Sequence, residues 1–407
     1  MKNNRTFLEK LLDGAEVEWK TLDEISSIYG GLTGKGKADF ENGNALYEPY
    51  KNIFNNIEVD FNNLETVNVS DDEKQYTIKY GDVLFTGSSE TAEEAGMSSA
   101  VTTKTEQKIY LNSFSFGLRF NDDVELLPEF SKFLFRTLSI RKEIVKSASG
   151  VTRFNISKAR FKKIKIPIPP LPVQTEIVKI LDALTALTSE LTSELILRQK
   201  QYEYYREKLL SFDSLEQLYM GGAKKKLIDV AIYAKVRISA NKLNKENYVG
   251  VENLLQNKLG KTSSNYVPTE GSFIEYLPND ILIGNIRPYL RKIWLADKTG
   301  GTNGDVLVIR LTDKNILPRY LYHILANEHF FEYNIKYSKG AKMPRGDKAA
   351  ILQYEFDVPS LAEQHRIVSI LDKFETLTNS ITEGLPLAIE QSQKRYEYYR
   401  ELLLSFS

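Results

Sequence analysis

The segment QKRYEYYRELLLSF, residues 393–406, repeats the segment QKQYEYYREKLLSF, residues 199–212, and twelve of the fourteen positions are identical. A second pair of matching segments lies upstream. PPLPVQTEIVKILDAL, residues 169–184, corresponds to PSLAEQHRIVSILDKF, residues 359–374. The upstream pair is 190 residues apart and the downstream pair 194, so the second copy carries four extra residues between its blocks. The chain is therefore built from two copies of one plan.

Each copy has the apolar spacing of a long helix, with steps of three and four residues that are typical of a coiled-coil seam. In the second copy, Ser360 and Glu363 form a capping box that predicts the start of the helix. The segment EGLP, residues 383–386, predicts a bend or break in that helix. The predicted seam residues are Ile177, Ile180, Leu184, Leu187 and Leu191 in the first helix, and Ile367, Ile370, Phe374, Leu377 and Ile381 in the second.

Two matching stripes in one chain are most simply buried against each other. From Pro172 to Leu210 a continuous helix would be about 58 Å long at 1.5 Å per residue, which exceeds the width of one domain. Because the first helix leads away from the first domain and the second leads back, we expect antiparallel pairing with pseudo-twofold symmetry. The alternative is that each stripe packs on its own domain as ordinary core.

Length and composition favour a two-domain α+β protein. Its 407 residues are 42% hydrophobic, which permits substantial cores. Cysteine is absent, so disulfides and thiolate metal sites are excluded. Neither a signal peptide nor an apolar run of membrane length is present, and we expect a cytoplasmic protein. The predicted boundaries are two α/β domains, 1–168 and 213–358, and two long helices, 169–212 and 359–407, that form an antiparallel coiled coil.

The doubled motif P-x-L-x-x-Q-x-x-I-V-x-I-L-D, followed by Q-K-x-Y-E-Y-Y-R-E-x-L-L-S-F, resembles the conserved regions of type I restriction–modification specificity subunits. GDVLF, residues 81–85, and NDILI, residues 279–283, each precede Leu-Pro and then a glycine before the helix. This outline resembles the target recognition domains of that family. EGLP also resembles the family's conserved helix, although the first copy lacks it.

The resemblance implies a non-catalytic subunit that gives a type I restriction–modification complex its DNA-sequence specificity. Each target recognition domain would bind one half of a bipartite double-stranded DNA target. The paired helices would set the spacer and dock two methyltransferase subunits, and two restriction subunits would complete the complex. S-adenosylmethionine, ATP and magnesium would be bound by those partners, so we expect no cofactor on this chain.

Candidate DNA contacts in the first domain lie in two glycine-containing loops and beside a basic stretch. Residues 132–165 carry eleven cations and a single acid, Glu143, and the alternative is a solvated helix face or a protein-binding patch. Glu90, Glu93 and Glu94 oppose phosphate binding, so they either accept hydrogen bonds from cytosine amino groups or point away. The candidate contacts are Lys35, Lys37, Ser88, Ser89, Thr91 and Arg153.

In the second domain, GNIRPYLRKIW, residues 284–294, interleaves cations with an aromatic residue after a predicted strand. YSKGAKMPRGD, residues 337–347, corresponds to SASGVTRFN, residues 147–155, and both place a glycine and cations shortly before the long helix. The candidate contacts are Lys235, Arg237, Arg287, Tyr289, Arg291, Lys292, Lys339, Lys342 and Arg345.

Enzymatic alternatives find little support in the residues. The stretch from Gly31 to Ala38 approaches a phosphate-binding P-loop, but Ala38 replaces the serine or threonine that would hold magnesium. The three histidines have no metal-ligand spacing, so we predict neither a metal site nor a catalytic site. The residues leave two other functions open. One is a protein-binding helical adaptor without DNA recognition, and the other is a self-contained methyltransferase with an unfamiliar site.

Overall fold

The computed structural model describes residues 7–211, 223–380 and 382–406. The chain forms two compact units, unit 1 with residues 1–189 and 391–407, and unit 2 with residues 190–390. The border at residue 190 falls inside the first long helix. Each unit therefore combines one domain with parts of both long helices.

Within residues 7–189 and 391–406, unit 1 contains twelve strands and the helices that cover them. The strands are β1 Glu18–Thr21, β2 Ser26–Gly30, β3 Ala45–Glu48, β4 Glu65–Val67, β5 Val83–Thr86, β6 Ser88–Ser89, β7 Ser98–Ala100, β8 Ile109–Leu111, β9 Ser115–Phe120, β10 Ala148–Ser149, β11 Phe154–Ile156 and β12 Lys165–Ile168. The helices are α1 Phe7–Leu12, α2 Leu22–Ile25, α3 Tyr50–Asn55, α4 Pro128–Leu134, α5 Leu138–Ser147, α6 Lys158–Phe161 and the first half of α7 Leu171–Leu210, with 3-10 turns at Lys37–Phe40 and Phe61–Asn63.

The central sheet of unit 1 is antiparallel, with strand order β2-β9-β5-β7. A second sheet, β4-β3-β8, contains one parallel pair, β3 with β8. The strand pair β1-β12 leads directly into α7. All four residues of β5 are buried, as a strand in the centre of a covered sheet requires. The centre of the core is aromatic: the Phe85 ring lies 5.4 Å from Phe116 and 4.9 Å from Phe161.

Unit 2 contains ten strands and a similar set of helices among its described residues. The strands are β13 Ala223–Lys226, β14 Ala231–Tyr233, β15 Arg237–Ser239, β16 Tyr248–Val249, β17 Ser272–Tyr276, β18 Ile281–Gly284, β19 Ile293–Leu295, β20 Gly300–Thr302, β21 Val306–Leu311 and β22 Glu355–Val358. The helices are the second half of α7, then α8 Leu227–Val230, α9 Pro318–Leu325, α10 Glu328–Lys336, α11 Lys348–Leu352 and α12 Leu361–Asn379, with 3-10 turns at Ala240–Lys242 and Pro288–Leu290; α13 Gly384–Leu403 begins in unit 2 and continues into unit 1.

The sheets of unit 2 repeat the plan of unit 1. The central antiparallel sheet has the order β14-β21-β18-β19, which corresponds to β2-β9-β5-β7. A second sheet, β15-β17-β20-β16, again contains one parallel pair, β16 with β20. The strand pair β13-β22 leads into α12 as β1-β12 leads into α7. The duplication seen in the sequence therefore extends to the topology of the domains.

The two long helices differ in continuity. The first, α7, runs without a break for 40 residues. The second is divided into α12, which ends at Asn379, and α13, which begins at Gly384 with a φ of +82° that favours glycine. The break predicted at EGLP is thus confirmed. So is the predicted cap, because the Ser360 hydroxyl accepts a hydrogen bond from the backbone N–H of Glu363.

In both units a part of α7 packs beside a part of the second long helix. In unit 1 the hydroxyls of Thr188 and Ser392 lie 2.8 Å apart. In unit 2 the ring of Phe374 lies 6.1 Å from that of Tyr202 and 5.6 Å from that of Tyr205. Residue numbers rise along α7 as they fall along the second helix, so the predicted antiparallel pairing is confirmed.

Each domain core is completed by the repeated tail segment of the other copy. In unit 1, Tyr396 and Phe406 from the end of the chain are buried, and their rings lie 6.3 Å from Phe133 and 6.4 Å from Phe130. Unit 2 buries Tyr202 and Leu210 from the end of α7 in its main core. Fully burying one such side chain contributes about 1.5–3 kcal/mol. The near-identity of the two tail segments follows from this common task.

A buried glutamine fixes the start of each long helix. Gln174 accepts a hydrogen bond from the backbone N–H of Leu127 at 2.8 Å and donates to the carbonyls of Glu125 and Pro169, both at 2.7 Å. Gln364 makes the same three contacts in unit 2, with Leu317, Asn315 and Pro359, each at 2.9 Å. Both glutamines are fully buried. The glutamine of the repeated motif therefore joins the helix to the loop after the central sheet.

The predicted seam residues vary in burial. Ile177 and Ile367 are fully buried and belong to the core of the domain that precedes their own helix, so the alternative of ordinary core packing also holds at those positions. Leu187 is 39% exposed, and Ile381 lies outside the described residues. Leu181 and Leu371, which the predicted spacing passed over, are fully buried. The half-buried seam residues are Ile180, Leu184, Leu191, Ile370, Phe374 and Leu377.

Candidate nucleic-acid interface

A small three-stranded sheet follows the buried strand β5 of unit 1, and we name it ladder 1. It consists of β6, β11 and β10, with β11 in the middle. Asn155 lies opposite Ser88 on one side and opposite Ser149 on the other. Gly150, with a φ of +146°, begins the hairpin turn between β10 and β11. The tip of this hairpin is exposed to solvent, and Val151 is 91% exposed.

A cleft of about 830 Å³ opens beside ladder 1. Its wall includes Ser88, Ser89 and the hairpin residues Thr152 and Arg153. The Arg153 guanidinium lies over the ring of Phe114, 5.6 Å from its centroid, and Phe114 is itself 61% exposed. An arginine stacked in this way keeps its hydrogen-bond donors in one plane. The cleft therefore presents aromatic surface beside polar groups.

Tyr50 connects the floor of the cleft to ladder 1. Its hydroxyl donates a hydrogen bond to the backbone carbonyl of Ser88 at 2.8 Å. Burial raises the pKa of Tyr50, and the carboxylates of Glu90 and Glu94 act in the same direction. Tyr50 therefore remains a protonated donor at neutral pH.

Unit 2 has the corresponding feature, ladder 2, in which Arg345 pairs with Ile286 on one side and with Lys339 on the other. Two backbone hydrogen bonds of 2.9 Å join Arg345 to Lys339. The N–H of Arg287 donates to the carbonyl of Pro344 at 2.8 Å, which fastens the GNIRPYLRKIW loop to the second hairpin. Arg287 has a φ of +53° and precedes a proline, a strained backbone that these contacts hold in place.

The two ladders correspond residue by residue. Hairpin positions are related by the 190-residue repeat, so Ser149 matches Lys339 and Asn155 matches Arg345. Strand positions after the central sheet are related by a 198-residue offset, so Ser88 matches Ile286. The backbone framework is therefore shared, whereas the side chains on it differ in charge.

An aspartate–arginine pair links two neighbouring strands of each central sheet. The Asp82 carboxylate, next to β5, accepts from Arg119 of β9 at 2.6 Å and 2.8 Å. The Asp280 carboxylate, next to β18, accepts from Arg310 of β21 at 2.6 Å and 3.0 Å. Hydrogen bonding to the aspartate raises the pKa of the arginine in both pairs. These pairs give the shared aspartate of GDVLF and NDILI a structural role.

Several predicted contacts of unit 1 lie away from ladder 1 or are engaged inside the protein. The Lys35 ammonium pairs with Glu73 at 2.5 Å and its side chain is only 6% exposed. That hydrogen bond helps to lower the pKa of Glu73 to about 2. Lys37 is exposed at the start of a 3-10 turn. Thr91 is exposed next to the cleft, and its hydroxyl donates to Glu94 at 2.9 Å.

In unit 2, four predicted contacts lie on or beside ladder 2. Arg345 is 60% exposed and pairs with Asp305 at 3.0 Å, and Lys339 pairs with Asp347 at 2.5 Å. Lys342, at the hairpin tip, and Arg287 are exposed. Ladder 2 therefore presents positive charge on both of its loops.

The remaining predicted contacts of unit 2 are dispersed. Arg291 donates to Glu328 at 2.7 Å, Lys292 donates to the carbonyl of Val251 at 2.7 Å, and Arg237 donates to the hydroxyl of Ser272 at 2.8 Å. Burial lowers the pKa of Lys292. Lys235 and Tyr289 are exposed.

Sequence reasoning missed residues that shape the site of unit 1. Phe114 and Tyr50 contribute to the cleft although neither lies near ladder 1 in the sequence. Asn155 lies in the segment SASGVTRFN and is not among the predicted contacts, although it occupies the position of Arg345. The 190-residue offset, extended beyond Gly150 and Gly340, was a signal that could have identified Asn155.

His323, Asp372 and Glu375 bring nitrogen and carboxylate ligand atoms within 4.8 Å of one another. The Arg319 guanidinium donates to Asp372 at 2.7 Å and to Glu375 at 2.8 Å, and the His323 ring lies 2.8 Å from Asp372. Because an arginine already occupies both carboxylates, this group fits an ion-paired contact between α9 and α12 better than a metal centre. No helix within the described ranges is long and apolar enough to cross a membrane.

Comparisons with known proteins agree with this arrangement. A Haemophilus influenzae protein described as a type I restriction enzyme specificity subunit is 39% identical over the full length of both chains. A type I restriction enzyme specificity subunit of Escherichia coli is 33% identical and covers 98% of this chain and 97% of its own. A solved structure described for complex assembly and conformational transition of a type I restriction–modification system superposes with a TM-score of 0.62. It is 15% identical and covers 96% of this chain and 98% of its own.

The family model described as the type I restriction modification DNA specificity domain matches the chain twice, over residues 15–198 and 223–391. The two matches correspond to the two copies found in the sequence, and each ends within a long helix. With the full-length relatives, they show that the chain belongs to the family of type I restriction–modification DNA specificity subunits.

Proposed function

We propose that ladder 1 and ladder 2 are the DNA-contacting elements of this specificity subunit, each engaging one half of a bipartite target. The observation that carries the proposal is their correspondence: one backbone framework recurs at the same place in both units with different side chains. Two domains that bind different DNA sequences need the same backbone framework with different side chains on it. Base edges are distinguished by side-chain hydrogen bonds, whereas phosphates require cations.

Among the predicted contacts, those exposed on or beside the ladders are the strongest candidates. Arg153, Lys342 and Arg345 are exposed near hairpin tips, and Arg287 is held in a fixed geometry by ladder 2. Contact by Lys35, Arg291 or Lys292 would require breaking an internal ion pair or hydrogen bond. We therefore assign DNA binding mainly to the first group, to Lys339 and to Ser88, which lines the cleft; Ser89 is buried and its hydroxyl donates to the Thr91 carbonyl, so it supports the loop instead.

We further propose that the paired helices set the spacing between the two half-sites and dock two methyltransferase subunits, with two restriction subunits completing the complex. The 40 residues of α7 correspond to about 60 Å. Sites contacted by paired modules lie one or more DNA turns of about 34–36 Å apart. In this proposal S-adenosylmethionine, ATP and magnesium are bound by the partner subunits, and the chain itself performs no chemical step.

The test begins with the complex of the full chain and its methyltransferase subunits, whose methylated adenines define the target. We expect a bipartite sequence, and binding to it at least about a thousandfold tighter than to unrelated duplex at the same salt concentration. Exchanging residues 1–168 for those of a relative should alter one half-site only. A change in both half-sites, or duplex binding without sequence preference, would contradict the proposal. A helical adaptor would show no salt-dependent duplex binding at all.

A further inference from the structure

The two ladders carry side chains of different charge and hydrogen-bonding capacity on one framework. Hairpin position 152 holds threonine where position 342 holds lysine, and position 155 holds asparagine where position 345 holds arginine. Ladder 2 thus presents mainly donors. Ladder 1 presents smaller neutral groups, with Arg153 as the cation of its hairpin.

The acidic side chains beside the two ladders differ in their ion pairing. Next to ladder 2, Asp305 pairs with Arg345, and Asp347 pairs with Lys339. In the cleft beside ladder 1, neither Glu90 nor Glu94 forms an ion pair with a described residue. The Glu94 carboxylate instead accepts a hydrogen bond from the Thr91 hydroxyl at 2.9 Å. The cleft therefore holds two carboxylates without an ion-pair partner among the described residues, although the cations Lys51 and Arg153 line the same cleft.

A buried hydroxyl also faces this cleft. Ser88 lines it while only 7% exposed, and its hydroxyl forms no hydrogen bond with any residue that the structure describes. The Ser88 oxygen is accessible from the cleft, so a ligand there can form the hydrogen bond that the protein does not supply. The Ser88 hydroxyl is thus an independent sign that the cleft receives a polar ligand.

The carboxylates restrict what that ligand can be. Glu90 and Glu94 repel phosphates and accept hydrogen bonds without donating them. In the major groove the donors that DNA offers are the exocyclic amino groups, N4 of cytosine and N6 of adenine. Lysine and arginine, in contrast, pair best with the O6 and N7 acceptors of guanine.

We propose that Glu90 and Glu94 accept hydrogen bonds from base amino groups of the first half-site, whereas Arg287, Lys342 and Arg345 contact guanine acceptors of the second. This assignment rests on the proposed function, because it presumes that the ladders face DNA. It resolves the choice that the sequence left open for the loop of residues 87–99. Glu90 and Glu94 belong to the contact surface, whereas Glu93 is not part of the cleft wall.

The test measures binding of the methyltransferase complex to duplexes in which single amino groups have been removed. Purine replaces adenine and 2-pyrimidinone replaces cytosine, one base of the mapped target at a time. Binding rather than methylation is measured, because the adenine amino group is itself a methyl acceptor. With the unaltered protein, at least one such change in the first half-site should weaken binding by about 5- to 150-fold.

The paired variants are Glu90→Met and Glu94→Met, which remove the acceptor oxygens at similar side-chain length, with Glu93→Met as the matched control in the same loop. At least one of the first two should abolish the penalty for the removed amino group and tighten binding to unrelated DNA, while the control changes neither. Retained discrimination in the second half-site shows that the variant is folded. An unchanged penalty in both variants would overturn this assignment and leave the proposed function intact. Loss of sequence preference in the unaltered protein would overturn both.

Discussion

The two units share their sheets, their buried glutamine and their supporting aspartate–arginine pair, yet their exposed ladders differ at almost every side chain. The shared residues are those whose hydrogen bonds hold the backbone framework. The differing residues are those that protrude from it. After the duplication the framework residues stayed the same, whereas the exposed residues diverged. Experiments on matched positions can therefore separate the contribution of the framework to stability from that of the exposed side chains to DNA binding.

The largest effect is expected for the shared framework. Gln174→Met or Gln364→Met fills a similar volume but leaves three backbone groups without partners, and each should lower the free energy of unfolding by about 3 kcal/mol. Urea unfolding of the full chain measures this. Gln393→Met, at an exposed position, should cost under about 0.5 kcal/mol. Clearly unequal losses at positions 174 and 364 would break the equivalence of the two units.

A smaller effect is expected on DNA binding at the matched hairpins. Arg345→Gln removes an exposed cation from ladder 2 and should weaken binding to the cognate target by about 1–3 kcal/mol. Preference should relax in the second half-site only. Competition binding with half-site variants measures this. The control is Lys314→Gln, which removes an exposed cation elsewhere in unit 2. Equal relaxation in both half-sites would show that the ladders do not act separately.

A third difference concerns acid stability. His323 is fully buried, and the matching residue of unit 1 is Phe133. Burial lowers the pKa of His323. The charges of Arg319 and Arg206 lower it further, whereas Asp372 and Glu375 raise it. The unfolded chain therefore binds this proton more readily, so unit 2 should lose stability as the pH falls below about 6.5. The loss from this group is at most about 1.4 kcal/mol per pH unit. Thermal unfolding of His323→Phe between pH 7 and pH 5 should show a weaker acid dependence; an unchanged profile would contradict it.

The smallest effect is expected from exchanging one charge between matched hairpin tips. Lys342→Thr should reduce the dependence of log K on log salt concentration by about 0.9, and Thr152→Lys should increase it by the same amount. Both positions are exposed, so the folded state should tolerate either change. Salt titrations of duplex binding measure the slope. If only one of the two variants changes the salt dependence, then only that hairpin lies near a phosphate.

Much of the framework could be predicted because it depends on local spacing. The 3-4 pattern, the capping box and EGLP predicted the paired helices and the break before Gly384, since each depends on residues a few positions apart. The burial of Leu181 and Leu371 was missed because the strict seam spacing ignores the face that packs on a domain.

The ladders could not be predicted in the same way. Pairing of Ser88 with Asn155 joins residues far apart in the chain, and no local pattern specifies that register. Nor does a basic residue reveal its partner: Lys35 is neutralised by Glu73, whereas Lys342 remains exposed at a hairpin tip. The sequence therefore predicted which loops matter better than which side chains face outwards.

The exchange of tail segments between the two copies has a consequence for synthesis on the ribosome. The core of unit 1 includes Tyr396 and Phe406, which are made more than 200 residues after the first part of that core, since the first part of unit 1 ends at residue 189. At about 5–20 residues per second, the first domain waits roughly 10–40 s after its own translation for them. During that interval the surfaces around Phe130 and Phe133 lack their final cover, which makes them a natural binding site for chaperones on nascent chains.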